Sequence, residues 1–542
     1  MSYSKPLLIY NADIITMDPQ TPRAAAMAVN PADGRIIAVG SGASDVELAI
    51  GKFTHPEMLD AKGKTIIPGL IDSHAHFYSA ALDTMDIDLA NAASESAAAE
   101  MIGKMAAATP PGIWITGRHW NQNHWDDKQF PSKYSLDRVA PHHPVLLWTH
   151  SQHAVWVNSA ALRIAGITRE TQDPIGGHIG RGADDEPDGM LFENAVQLIT
   201  EVYERTRTLD DRTLAAYEQV IQSSLARGLT GSVLMEGRPA LKIEQRLLEQ
   251  GKLQFRFNHY IPADEIDSLT SLGLEGGFGN EWIALTGIKI FSDGALGSRT
   301  AATLEPYADS VANYGTLTHT EAELRDYLLR AANNTIGVAI HAIGDKAANT
   351  VLNAIESIKI DKPSVLQPLK TVRLEHIQLI SRQDIQRMAS LRVCGSVQPF
   401  HAVSDRETAD AVWGTSSSLM YPYASLAKAG VLVTLGSDLP IETNDPWKII
   451  SAAVNRNDYR YPQLAPWRTE EALTVQQALA MYTINAAAAA DCGSWRGAIR
   501  VGYAADFVAL EENPLAIPAD RIAETQPQAV YVHGAPVFGD LS

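Results

Sequence analysis

Five strand-like segments of this 542-residue chain each end in a side chain that can bind a metal: His74-Ala-His76, Lys289, His341, His376 and Asp438. Residues so widely spaced reach one ion only if the fold gathers the ends of successive strands, which is what a closed parallel β-barrel does at one mouth. A basic residue in the middle and a carboxylate last suit a metal-dependent hydrolase. A simple barrel needs about 250 residues. The length therefore calls for at least one further domain or insertion, and apolar residues at 45% supply material for a large core.

Lysine and arginine number 44 against 63 acidic residues, a formal charge of -19. That balance disfavours binding to a phosphate backbone, so no nucleic-acid partner is expected. The N-terminal segment lacks a cationic flank followed by a long apolar run, so no signal peptide is expected, and no stretch reaches the roughly 18 apolar residues of a membrane helix. With only Cys394 and Cys492 in the chain, a reduced, cytoplasmic protein is the expectation.

Both ends of the chain read as short β-strands. Near the start, Ala26-Met-Ala-Val and Arg35-Ile-Ile-Ala-Val flank a Pro-Ala-Asp-Gly turn; near the end stand Asp506-Phe-Val-Ala-Leu and Ala529-Val-Tyr-Val-His. Residues 1–64 and 497–542 are expected to form one composite β-sandwich. Between them strands alternate with helices, the pattern of a parallel α/β fold. The candidate strands are 65–76, 229–236, 253–261, 283–293, 337–341, 372–376, 392–398 and 431–438, and they predict a (β/α)8 barrel over 65–76 and 211–496. Helices are expected over 210–227, 320–335 and 381–391, the last two opening on a capping Thr or Ser.

On the fifth strand Gly337, Ala339 and His341 share one face, so small residues point inward and Val338 and Ile340 outward. The sixth strand fits this scheme less well. By parity His376 sides with Val372 and Leu374, which leaves Arg373 and Glu375 beneath the helices in need of partners. The gap between the first two strands, 77–210, holds Trp114, Trp120, Trp125, Trp148 and Trp156, half of all ten tryptophans. It reads as an inserted lid or subdomain.

His74 and His76 stand two apart on an extended segment, which puts both imidazoles on one side. His341, His376 and Asp438 each terminate an apolar run, and imidazole with carboxylate is a donor set that zinc favours. A buried carboxylate at Asp438 needs a cation; it could also take a proton from an activated water and pass it to a leaving group. Lys289 admits two readings. It either pairs with Asp293, which has the same parity, or is carbamylated into a metal-bridging carboxylate. Arg299 could anchor a polar part of a substrate or brace its loop, and Gln398 and His401, with His259 behind them, are further substrate-contact candidates.

Taken together, these segments resemble the amidohydrolase superfamily, in particular the amidohydrolase 3 branch that includes N-substituted formamide deformylases. The resemblance spans nearly the whole chain. It is carried by Pro68-Gly-Leu-Ile-Asp-Ser-His-Ala-His, Lys289-Ile-Phe-Ser-Asp-Gly-Ala-Leu-Gly-Ser-Arg-Thr-Ala, Val338-Ala-Ile-His-Ala-Ile-Gly-Asp, Leu374-Glu-His, Gly436-Ser-Asp and Gly502-Tyr-Ala-Ala-Asp-Phe-Val. It implies a metal-binding barrel with a composite sandwich, and His74, His76, Lys289, His341, His376 and Asp438 as ligands of one or two divalent ions, zinc favoured, with Lys289 carbamylated. Gly117-Arg-His-Trp and His153-Ala-Val-Trp-Val-Asn extend it into the insertion and suggest that Trp120 and His153 face the substrate, core packing being the alternative for Trp120. Tyr503, His150 and Gln152 depart from the pattern.

The implied reaction is hydrolysis of an amide-type C–N bond in an N-acyl or N-formyl amine, with a metal-held hydroxide attacking the carbonyl and Asp438 carrying the proton. The tryptophans suggest a small-molecule substrate with an apolar or aromatic portion. Hydrolysis of a cyclic amide, carbamate or ester, or deamination of a heterocycle, uses the same scaffold; the full set of ligand-type residues argues against a catalytically silent binding protein. Homo-oligomerisation is left open by the sequence.

Overall fold

Pro68-Gly69 divides the first long apolar run in two. Thr65–Pro68 pairs with Asp13–Ile15 and Phe507–Leu510 in a sandwich sheet, and only Leu70–Ala75 enters the barrel. The single strand expected over 65–76 is thus two strands in two sheets. A Cβ on Gly69 would lie 2.3 Å from the Thr230 hydroxyl, so the crossing between sheets leaves no room for a side chain. This computed structural model describes residues 5–51, 55–149, 154–174, 177–206, 211–310, 312–361, 371–414 and 416–541. The chain divides into two compact units, Met1–Ala80 with Tyr217–Ser542, and Ala81–Ala216.

In the first unit eight parallel strands follow one another in chain order: Leu70–Ala75, Leu229–Leu234, Arg256–Pro262, Ile283–Phe291, Gly337–Ala342, Val372–His376, Cys394–Val397 and Val433–Leu435. These are barrel strands one to eight. Strand eight meets strand one at the mouth, where the Asp438 amide donates to the His74 carbonyl at 2.8 Å and the His76 amide to the Leu439 carbonyl at 2.8 Å. Ser437 closes the same seam through its amide and hydroxyl, 2.9 and 2.6 Å from the buried Asp72 carboxylate. Gly436 lies in that seam, and a Cβ there would come within 2.6 Å of the His74 nitrogen.

Helices cover the barrel where apolar residues recur at helical spacing. Glu321–Asn333 starts at a capping box of Thr320 with Glu323, and Arg382–Leu391 at Ser381, whose hydroxyl accepts the Asp384 amide. Asp211–Leu225 precedes strand two. The sandwich packs a four-stranded sheet from residues 7–60 against a six-stranded sheet drawn from both ends of the chain. Ile9, Met27, Ile66, Phe507 and Tyr531 fill the space between, with the Phe507 and Tyr531 rings stacked at 4.5 Å.

The second unit is built on a six-stranded mixed sheet, in the order 177–181, 187–193, 154–157, 145–149, 115–120 and 87–88. Its core holds three of the tryptophans. Trp120 stacks on Trp125 at 5.7 Å and meets Trp156 edge-on at 6.0 Å. Each indole N–H donates to a backbone carbonyl of the same unit: Leu147, Ala92 and Ser132 respectively. These rings therefore bury the apolar area of the insertion itself.

Candidate metal centre

Strand alternation aims the site residues, and two local departures from it complete the aim. Lys289 and His341 point inward from strands four and five, as the small residues Gly287, Gly337 and Ala339 on the same faces require. On strand six the expected parity is reversed. Arg373 and Glu375 lie fully buried in the barrel interior: the Arg373 guanidinium bonds Glu375, the Ser73 carbonyl at 2.6 Å and the Ser396 hydroxyl at 2.7 Å. His376 still reaches the site because its backbone turns to φ 75° at the strand end, and Asp438 is likewise turned at φ 60°. Positive φ in a non-glycine residue is a sparsely populated conformation held only by surrounding structure.

Five imidazoles then gather about one carboxylate. The His74 ring lies 5.4 Å from His76 and 4.9 Å from His376, which lies 4.5 Å from His341. Asp438 Oδ1 stands 3.3 Å from His74 Nε2 and 3.2 Å from His76 Nε2. Its Oδ2 is 3.1 Å from Nε2 of His401, which the sequence suggests as a substrate contact and which the structure places against the carboxylate. Two sets of donor atoms, His74-His76-Asp438 and His376-His401-Asp438, each lie within 4.8 Å of one another and share Asp438.

Neighbouring groups select which ring nitrogens are free. His74 Nδ1 donates to Glu375 at 2.6 Å, which turns its Nε2 to Asp438, and His341 Nε2 donates to the Gly294 carbonyl at 3.0 Å, leaving His341 Nδ1 as a lone-pair donor. His376 Nδ1 is buried with no partner among the described residues. Burial, reinforced by Lys289, pulls His341 down to about 3; burial, with His341 and His74 beside it, holds His376 well below the usual imidazole range. Burial alone would raise Asp438, but hydrogen bonds from His401, His74 and His76 outweigh it and keep the carboxyl well below its ordinary value. The His341 and His376 imidazoles, kept uncharged beside an ionised carboxylate, and the unpartnered His376 Nδ1 suit a divalent cation.

Lys289 makes no ion pair with Asp293, whose carboxylate accepts the Ala302, Ile343 and Gly344 amides at 2.9, 3.1 and 2.9 Å. Its Nζ lies over the Phe291 ring at 5.1 Å. Burial lowers the ammonium to about 8, against the pull of Glu375 and Asp438.

A sequence model of the Amidohydrolase family matches residues 57–538. The chain belongs to the amidohydrolase family. This amidohydrolase is 32% identical over 525 residues to Protein LONG AFTER FAR-RED 3 of Arabidopsis thaliana, covering 94% of this chain and 87% of the relative. It is 31% identical over 550 residues to an N-substituted formamide deformylase of Arthrobacter pascens, covering 98% of each. A crystal structure of an uncharacterized metal-dependent hydrolase from Pyrococcus horikoshii OT3 superposes with a TM-score of 0.79 at 25% identity, over 95% of this chain and 99% of that one. The protein is accordingly a metal-dependent hydrolase of the class acting on carbon–nitrogen bonds. Among the described residues no helix is long and apolar enough to cross a membrane.

The remaining candidates part company. Trp120, at 0% exposure, is core of the insertion rather than a substrate contact, and His153 lies outside the described residues, as do His150 and Gln152. Arg299 braces its loop by pairing with Asp309 at 3.0 Å and with the Gly297 carbonyl. Gln398 is buried with its Oε1 unpartnered among the described residues. His259 is locked to Glu244 at 2.6 Å, and Tyr217 donates to the same carboxylate, so this trio is structural. Glu375 and Arg373 were not read from sequence as site residues; two charges in a strand that otherwise reads as core were the available signal.

Proposed function

We propose that this amidohydrolase cleaves the C–N bond of an N-acyl or N-formyl amine. The observation that carries the reading is the ionised Asp438 carboxylate shared among His74, His76 and His401 at the barrel mouth. His74, His76, His341, His376 and Asp438 would hold the metal, zinc on the strength of the imidazole-rich donor set. When bound, the ion supplies Lewis-acid polarisation of the carbonyl and lowers the pKa of a water. Asp438, ionised and so able to accept, takes the proton from the attacking water at its carboxylate and delivers it to the departing nitrogen, while the hydrogen bond from His401 orients it in both halves. Glu375 fixes the His74 ring, and Arg373 keeps Glu375 ionised. Similarity to a relative named for N-substituted formamides supports the choice of amide.

The reading is tested with metal-reconstituted protein on N-formyl, N-acetyl, carbamate, lactone and aminoheterocycle compounds. Release of amine from the formyl or acetyl compounds is the expected result; ammonia from a heterocycle, with no amine from any acyl compound, would make the protein a deaminase.

Lys289 would serve as a carbamate. Carbamylation needs a neutral amine to attack carbon dioxide, with loss of a proton, and the lowered ammonium pKa provides that amine near neutrality. The carbamate then supplies a second carboxylate beside the imidazoles. Protein equilibrated with ¹³C-bicarbonate should show a carbamate carbon resonance that vanishes in Lys289→Ala. Metal content should fall with it and return on addition of a short carboxylic acid. A Lys289→Ala variant with wild-type metal content would remove the carbamate from the site.

A further inference from the structure

Three of the five tryptophans that the sequence put forward, Trp120, Trp125 and Trp156, are buried in the core of the insertion and offer a substrate no contact surface. Apolar side chains left open at the mouth of the barrel are the alternative. Phe291 is the last residue of strand four, two positions after Lys289 and so on the same inward face. Its ring centroid lies 5.2 Å from the His341 imidazole and 5.1 Å from Lys289 Nζ, yet the residue is 51% exposed.

The ring is held rather than loose. The Phe291 carbonyl accepts hydrogen bonds from the Thr318 hydroxyl at 2.5 Å and from His319 Nδ1 at 2.8 Å, and Ser292 donates its amide to the His341 carbonyl at 3.0 Å. A peptide group held at both its carbonyl and its amide next to an aromatic residue that is half exposed beside two site residues makes a preorganised apolar wall. Strand eight lies opposite strand four in an eight-strand barrel, and Ile441 follows strand eight by six residues. It is 65% exposed, and its amide donates to the Asp438 carbonyl at 2.8 Å, which ties it to the site.

Resting on the proposed amide hydrolysis, we infer that Phe291 and Ile441 form the two walls that receive the hydrocarbon substituent of the substrate, an aryl or arylalkyl group next to the scissile amide. Scattered exposed apolar residues are ordinary on protein surfaces. These two differ in their neighbours, His341 and Lys289 for Phe291 and the Asp438 carbonyl for Ile441, and in being anchored through their own backbone. An apolar substituent seated there sheds water from the Phe291 ring and the Ile441 side chain, while a methyl group leaves Phe291 uncovered.

The test compares an N-arylalkyl formamide with its N-methyl counterpart in wild type, Phe291→Ala, Phe291→Leu and Ile441→Ala. In Phe291→Ala, kcat/KM for the arylalkyl compound should fall about tenfold or more, within the range hydrophobic pockets deliver. The methyl compound should change less than about twofold, metal content should stay at the wild-type level, and Phe291→Leu should recover most of the loss. Affinities of benzohydroxamate and acetohydroxamate for the metal-loaded protein, measured by calorimetry, give the same comparison without turnover: the wild-type preference for the aryl compound should collapse in Phe291→Ala. Equal losses on both members of a pair, or no loss on either, overturn the inference. Turnover of neither formamide, with the hydroxamate preference intact and lost on truncation, would instead reject the amide reading and keep the apolar walls.

Discussion

Asp438→Asn is expected to lower turnover by about 10²–10⁴-fold, the range that a lost general acid–base group commands, while far-UV circular dichroism and the thermal midpoint stay close to wild type. The substitution preserves size and leaves an oxygen that can accept from His401 or face His74 and His76, so the seam between strands one and eight, held by backbone bonds and Ser437 to Asp72, keeps its closure. What is lost is the anion that three imidazoles hold ionised. Steady-state assays on the amide that the substrate panel identifies, together with metal analysis of both proteins, check this. Unchanged turnover would reject the assigned proton transfer. A fall in activity that tracks metal loss mole for mole would restrict Asp438 to a ligand.

The second large effect lies at the far end of the barrel. Asp506→Ala should destabilise the barrel-and-sandwich unit by about 3–5 kcal/mol, the cost of stripping one partner from a buried ion pair. Asp506 is fully buried and accepts from Arg256 at 2.7 and 3.0 Å and from the His533 amide at 2.9 Å, with Arg496 Nε 3.3 Å away. Removing the carboxylate leaves two guanidinium groups facing each other in the interior. Urea unfolding followed by tryptophan fluorescence reads the change; a loss under about 1 kcal/mol would show that the pair is replaceable. The same residue sets an acid limit. Burial alone would raise its carboxyl, but Arg256 and then Arg496 outweigh this and hold it below the ordinary value. Its folded pKa therefore lies below the unfolded one near 3.9, so the unfolded chain binds the proton first. The stabilisation is complete above about pH 4 and disappears as pH falls from there through the folded value. A urea midpoint that does not drop with acid over this range more in wild type than in Asp506→Ala would refute that assignment.

Local signals were read well where the physics is local. Thr320 and Ser381 as helix caps follow from neighbouring residues alone. The inward set Gly337, Ala339, His341 obeys strand alternation, and His74 with His76 projects to one side for the same reason. Errors cluster where the chain leaves a regular conformation or where a partner is remote. The strand-six parity failed because His376 and Ile377 take φ 75° and 49°, a turn that alternation does not contain. The run 65–76 reads as one strand because nothing in it shows that Thr65–Pro68 and Leu70–Ala75 pair with different, remote strands, or that Thr230 packs against Gly69. The tryptophans suggested a pocket by composition, but their burial depends on packing across a sheet whose pairing joins 154–157 to 187–193.

From the sequence by itself came the alternation of strand and helix, the ligand-type residues at strand ends, and the family to which those motifs point, because each depends on periodicity or on residue chemistry within a few positions. Only the tertiary structure decided that His401 faces Asp438, that Glu375 orients His74, that Lys289 has no pairing with Asp293, and that Phe291 stands open beside His341. All but the Lys289 pairing are distances between residues from 37 to 301 positions apart. Closure of the barrel sets such distances, and no local preference of the chain encodes them.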